Sequence, residues 1–145
     1  MRGLLQRVSA ASVKVDGVVV GEIGPGLCTL VGVGCDDDEK AADRLAAKIW
    51  QLRLFPDVGG NMNRSAQELG LPVLVVSQFT LYADTTRGRR PSFTQAAAPE
   101  VARALVDRVV AQLREAGAEV ATGRFGAMMD VSLVNHGPVT VLVET

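Results

Sequence analysis

Ser77, Gln78, Phe79 and Thr80 follow directly on the apolar run Val73 to Val76. Three of these four side chains carry hydrogen-bonding groups. Polar groups at the end of a buried strand must be satisfied or must face a cleft. The stretch is therefore either a core strand leaving for the surface or the floor of a pocket. As a pocket floor, it gathers two hydroxyls, an amide and backbone N–H groups. Such a set suits ester hydrolysis by positioning and oxyanion stabilisation, without a strong side-chain base.

Other chemistries fit less well. Ser92, Ser132 and His136 add further polar groups, but the chain has no GxSxG elbow. His136 is the one histidine, and no carboxylate stands near it in sequence to complete a triad. A single histidine also excludes a multi-histidine metal site. Cys28 and Cys35 lack a CxxC spacing and read as reduced thiols. Asp36-Asp37-Asp38-Glu39 does not have the spacing of a calcium loop. One of its aspartates is expected to cap the helix that follows. Gly24-Pro25-Gly26 and Gly32-Val33-Gly34 match neither phosphate-loop nor dinucleotide fingerprints. No metal and no cofactor is expected.

The elements that must position Ser77 to Thr80 follow from the pattern around them. Val73 to Val76 reads as a strand buried on both faces. Val13-Lys14-Val15 and Val18-Val19-Val20 flank Asp16-Gly17, a strong two-residue hairpin signal. Gln6-Arg7-Val8 extends the first of these strands backwards. Arg7 there is either a surface residue whose stem packs or a buried donor aimed at carbonyls. Leu27 to Val33 is a third strand. Ala42, Leu45, Ile49 and Leu52 recur at helical spacing, and Trp50 is expected to pack. Val58 to Ser65, with Gly59-Gly60-Asn61, reads as a loop. Pro99 opens a second helix with an apolar face of Ala102, Leu105, Val109, Leu113 and Ala116, and Gly117 stops it. Val120 to Thr122 reads as a further strand, followed by a glycine-interrupted link, Gly123 to Asp130. Asn135-His136-Gly137-Pro138 separates two apolar stretches, Val131 to Val134 and Val139 to Val143, and reads as the turn of a hairpin. Gly-Pro bonds are candidates for the cis isomer, since proline lowers its cost to roughly 0.5–1 kcal/mol.

The chain has 145 residues, 48% of them hydrophobic and 21% charged, which excludes a disordered polymer and predicts one domain over 1–145. A net charge of −1 means that any nucleic-acid contact must use a local basic patch. Arg87, Arg89 and Arg90 form the densest one, between Thr85 and Ser92. No basic segment leads into an apolar stretch and no run approaches a membrane span, so a signal peptide and a transmembrane helix are not expected. The fold expected is mixed α/β: two packed β layers, barrel-like, with two main helices on one side.

Four stretches carry a resemblance: Ser77 to Asp84 (SQFTLYAD), Gly88 to Phe93 (GRRPSF), Gly123 to Ala127 (GRFGA) and Gly137-Pro138-Val139-Thr140. Together they resemble the D-aminoacyl-tRNA deacylases over the whole chain. The Gln6-Arg7-Val8 opening and the Met62-Asn63 loop match as well. The resemblance implies a homodimeric, cytoplasmic, metal-free enzyme that cleaves the ester joining a D-amino acid to the terminal ribose of tRNA. It implies that Ser77, Gln78, Phe79 and Thr80 line the catalytic pocket. Gly137-Pro138 would be a cis pair inserted from one subunit into the pocket of the other, with Arg7 holding it. Phe125 and Met129 would wall the site. Either Thr80 attacks, or the substrate's ribose hydroxyl assists while N–H groups near Phe79 and Thr80 hold the oxyanion. The second is favoured, because no base for Thr80 is evident. His136 stands where the family usually has Asp, and Met128 where a polar residue is common. Two readings from other classes compete: a non-catalytic dimeric RNA-binding module using the three arginines, and a small-molecule esterase using Thr80.

Overall fold

A computed structural model describes all of residues 1–145. Its spine is β1 (Arg2–Val15), which turns through Asp16 and Gly17 into β2 (Val18–Ile23). Both turn residues have positive φ, 51° and 79°, as the Asp-Gly pair predicts. Gly24-Pro25 then leads into β3 (Gly26–Gly32). The last strand, β8 (Asp130–Glu144), pairs antiparallel with β1 from Arg2↔Glu144 to Lys14↔Asp130. The other edge of β1 is shared: β3 pairs with its first half and β2 with its second. Two parallel neighbours complete the sheet, β6 (Val73–Ser77) beside β3 and β7 (Val120–Thr122) beside β6.

This six-stranded sheet rolls up. At Gly21 of β2 an added Cβ would lie 2.4 Å from the Thr122 carbonyl oxygen of β7, so the two backbones meet where only glycine fits. The two β layers expected from the sequence are thus two parts of one rolled sheet. Val8, Ala11, Val13, Ile23, Cys28, Leu74 and Val76 fill its interior. Burial pushes the Cys28 thiol up to about 11.

The outer face is covered by α1 (Glu39–Gln51) and α3 (Pro99–Glu115). Asp38 caps α1, accepting from the Ala41 N–H at 2.8 Å. Pro99 opens α3 and Gly117 follows it at φ 93°. Leu45, Ile49, Leu105, Val109 and Leu113 bury against Leu5, Leu27, Val73 and Val75, each such side chain contributing about 1.5–3 kcal/mol. The strand β6 therefore buries Val73 and Val75 toward the helices and Leu74 and Val76 toward the barrel. Arg108 ties the helices together with bonds of 2.7 and 2.9 Å to Asp43 and one of 2.9 Å to Glu39. No helix is long and apolar enough to cross a membrane.

Three local expectations change. Val58 to Ser65 is not all loop: β5 (Met62–Arg64) pairs with β4 (Phe55–Pro56), and the one-turn helix α2 (Ala66–Leu69) follows, capped by Ser65. Ala116 is exposed at the end of α3, and Ala118 takes the buried place beyond the glycine. Asn135 to Pro138 is not a hairpin turn. Val131 to Val134 and Val139 to Val143 belong to one strand, both running against β1.

Candidate active site

The apolar strand β6 ends at Ser77, and the chain enters a single 3-10 turn, Phe79–Tyr82. Gln78 stands between them. Its N–H donates to the Val31 carbonyl at 2.7 Å, and its own carbonyl accepts from Leu81 at 3.2 Å. Leu81 is the first N–H bonded within the turn. The amides of Phe79 and Thr80 precede it, as the free donors at any helix start do. No side chain caps them. Gln78 Nε2 donates to Thr80 Oγ1.

Long-range contacts hold this turn. The Tyr82 ring lies on the backbone of Gly32 and Gly34, where an added Cβ at Gly34 would sit 2.7 Å from the ring. Arg2 covers the other side, its guanidinium 4.5 Å from the ring centroid and donating to the Leu81 carbonyl at 2.8 Å. Tyr82 donates its hydroxyl to Asp37 at 3.0 Å. The same carboxylate accepts from the Gly34 N–H at 2.6 Å and from the Met1 ammonium. Burial first, and the Asp37 charge second, raise the Tyr82 phenol far above its ordinary range, so it stays a donor. The acidic cluster thus divides its work: Asp38 caps α1, and Asp37 anchors the turn.

Ser77, Gln78 and Phe79 line a cavity of about 600 Å³. One wall is the start of α3, with Ala97, Pro99, Ala102 and Val106; the other is the link before β8, with Phe125 to Met129. Phe125 is held by Arg103, whose guanidinium lies 5.0 Å from its ring centroid. Met129 fills the space over Gly123, where a Cβ would meet its sulfur at 2.7 Å. Phe125 and Met129 both line this cavity, and Met128, also lining it, is 91% exposed. Sequence reasoning missed the α3 wall. Its signal was present in Pro99 and in a small residue, Ala102, one turn on.

A second group lies elsewhere. The Gly137-Pro138 bond is cis. Asn135 spans the interruption in β8, accepting from the Val139 N–H at 2.9 Å and donating to the Val139 carbonyl at 3.1 Å. It also reaches Gln6 and Thr140, each at 3.0 Å. Arg7 donates from Nε to the His136 carbonyl at 2.8 Å and from Nη1 to the Leu54 carbonyl at 2.7 Å. Of the two readings of Arg7, the donor to carbonyls is found, but the side chain is half-buried and not fully buried. Arg7, Gly137 and Pro138 do not line the cavity of their own chain. The structure brings Ser77 to Phe79 together with Phe125 and Met129, and Arg7 together with Gly137, as two separate groups. The exposed Thr80 side chain, expected in the pocket, does not line the cavity, because the 3-10 turn carries it outward.

Arg87, Arg89 and Arg90 are exposed on a loop closed by the bridge of Asp84 to Ser92, with bonds of 2.8 and 2.9 Å. None of the three forms an ion pair. The Asp84 carboxylate is held low by the Thr86 N–H and hydroxyl, at 2.9 and 2.7 Å.

The whole chain is similar to known proteins of one family. The chain is 57% identical over 145 residues to the D-aminoacyl-tRNA deacylase of Roseiflexus sp. (strain RS-1), covering 100% of this chain and 94% of that protein. It is 57% identical to that of Streptomyces coelicolor, covering 99% of each. Among solved structures, a c-Myc DNA unwinding element binding protein superposes with a TM-score of 0.95 at 36% identity, covering 100% of this chain and 99% of that one. A probable eukaryotic D-amino acid tRNA deacylase shares the fold with a TM-score of 0.84 at 20% identity, covering 99% and 98%. The model of the D-Tyr-tRNA(Tyr) deacylase family matches residues 4–144, and the chain belongs to that family.

Proposed function

We propose that the chain hydrolyses the ester between a D-amino acid, or glycine, and the 3′-terminal ribose of tRNA, and refuses L-aminoacyl-tRNA. As a member of its family it is a D-aminoacyl-tRNA deacylase, a hydrolase of carboxylic ester bonds. The observation that carries the reading is the pair of uncapped amides, Phe79 and Thr80, at the start of a turn that borders an apolar cavity.

Water adds to the ester carbonyl carbon, and the oxygen that becomes negative is received by the two N–H groups. Removing one such donor typically costs about 10²–10³ in rate, so two aligned donors supply much of the barrier reduction. The carbon–oxygen bond to the ribose then breaks, and the ribose oxygen takes up a proton. The adjacent ribose hydroxyl relays the proton from the attacking water. Thr80 is not the attacking group in this scheme. Its oxygen accepts from the Gln78 amide, whereas a nucleophile needs a base to take its proton. Thr80 orients the Gln78 amide.

Selection by hand comes from a second copy of the chain. Carbonyl oxygens around its Gly137 and Pro138, held by its Arg7, receive the substrate ammonium. They leave no room for a side chain of L configuration. Because Arg7, Gly137 and Pro138 do not line the cavity of their own chain, such a site needs a homodimer with the active site at the subunit interface. Arg87, Arg89 and Arg90 meet the tRNA phosphates. The chain acts as one domain, in the cytoplasm.

Incubation with D-tyrosyl-, L-tyrosyl- and glycyl-tRNA tests the proposal. Loss of the D and glycyl esters with the L ester intact is the expected result. Equal cleavage of D and L esters overturns the selection. Retention of all three with a gel shift of the RNA points instead to a binding module. Cleavage of free D-amino-acid esters as fast as the tRNA ester points to a small-molecule esterase.

A further inference from the structure

Two of the four phenylalanines in the chain are exposed, and they touch each other. Phe79 is 58% exposed and Phe93 36%. Their rings meet edge to face, with centroids 5.0 Å apart. Phe79 borders the cavity mouth. Phe93 follows the Asp84–Ser92 bridge, so it stands at the base of the arginine loop. An apolar pair exposed on the single chain at a cavity mouth, close in sequence to three guanidinium groups without carboxylate partners, is a combination that binds single-stranded nucleic acid. Ring faces take bases, and the cations take the phosphates between them.

We propose that Phe79 and Phe93 form a stacking step for the unpaired base that precedes the esterified nucleotide. The inference rests on the tRNA-ester reading above and deepens it by assigning the neighbouring nucleotide. The cavity takes the terminal residue with its ester. The chain leaving the cavity mouth crosses the exposed rings, and its next phosphates meet Arg87, Arg89 and Arg90. The Asp84 carboxylate does not oppose this, because it faces Thr86. Ring faces carry no sequence code, so the step accepts any base and suits an end common to many tRNAs.

The test uses Phe93, which does not line the cavity. Hydrolysis of D-tyrosyl-tRNA is compared with hydrolysis of 3′-O-D-tyrosyl-adenosine, which lacks the preceding nucleotide. Phe93→Ala is expected to raise KM for the tRNA about tenfold, with KM for the short ester and both kcat values unchanged. Phe93→Tyr is expected to keep the wild-type KM, and Phe93→Leu to behave like the alanine variant. Equal losses on both substrates, or full retention by Phe93→Leu, would mean that Phe93 only props Phe79, and would overturn the proposal. A second readout is independent of catalysis. An uncharged RNA hairpin with a single-stranded 3′ end carries 2-aminopurine at the next-to-last position. Quenching of its fluorescence by the wild type but not by Phe93→Ala supports the step, and identical signals sink it. If the wild type quenches the probe but cleaves neither ester, the hydrolase reading fails while the stacking step stands.

Discussion

The polypeptide departs from regular strand geometry at two places that matter, and it does so in opposite ways. At the end of β6 the strand stops and a 3-10 turn begins, so two N–H donors are left over at Phe79 and Thr80. In the middle of β8 the strand continues on both sides of Gly137-Pro138, and the Asn135 side chain takes over the missing ladder bonds to Val139. The first place presents donors, which suit an oxygen gaining negative charge. At the second the proline has no N–H and the Val139 N–H is taken by Asn135, so carbonyls predominate, which suit an ammonium. A helix start and an interrupted strand are therefore complementary devices, and each is supported by an arginine of β1. Arg2 holds the turn through Leu81 and Tyr82, and Arg7 holds the interruption through His136.

The contrast can be broken first at the donor end. Gly34→Ala places a methyl group 2.7 Å from the Tyr82 ring and should displace the turn. A fall in kcat of about a hundredfold on D-tyrosyl-tRNA is expected, the size of one lost oxyanion donor. A variant with full activity and a normal circular-dichroism spectrum would show that Tyr82 does not set the donors. At the acceptor end, Gly137→Ala adds a Cβ 2.8 Å from the Val139 nitrogen and 3.0 Å from the Arg7 guanidinium, at a φ of 151° that side chains rarely adopt. About a tenfold loss of kcat/KM on the D ester is expected, because one such conformational misfit costs on the order of 1–3 kcal/mol. Unchanged kinetics would reduce the segment to a strand irregularity.

Smaller effects sharpen the comparison. Asn135→Ala leaves the Val139 N–H and carbonyl without their side-chain partner. Thermal unfolding should register a loss of about 0.5–1.5 kcal/mol, the net worth of a hydrogen bond at a half-buried position. No change in Tm would mean that water replaces the side chain. Thr80→Ala should be mildest, with kcat on the D ester within about tenfold of wild type, since the alcohol only positions Gln78. Complete loss of activity in a folded, tRNA-binding variant would return the nucleophile role to Thr80.

Local signals carried much of this architecture. Asp16-Gly17 announced its hairpin, Asp38 and Pro99 their helices, and four consecutive apolar residues the doubly buried β6. Phe125 and Met129 were named through resemblance alone, and both line the cavity. The misses share a cause. Gly137-Pro138 reads as punctuation between two strands, because nothing local reveals that Asn135 bridges the gap and β1 pairs on both sides. Asp37 looked like one of three equivalent caps, and its link to Tyr82 crosses 45 positions. The α3 wall, and Arg103 over Phe125, likewise depend on which helix face the rolled sheet presents to the end of β6.

Arg2 and Arg7 stand on the same strand, five positions apart, and each needs its place in the β1 register to reach its target. Successive side chains of a strand alternate between faces. A one-residue insertion ahead of Arg2 would leave both arginine reaches intact, although it would move the Met1 ammonium away from Asp37. One at Leu4 or Leu5 would put the two arginines on the wrong sides relative to each other. The spacing of this short segment therefore works as a ruler, and length changes there should be far less tolerated than equal changes in the Val58–Asn61 tip.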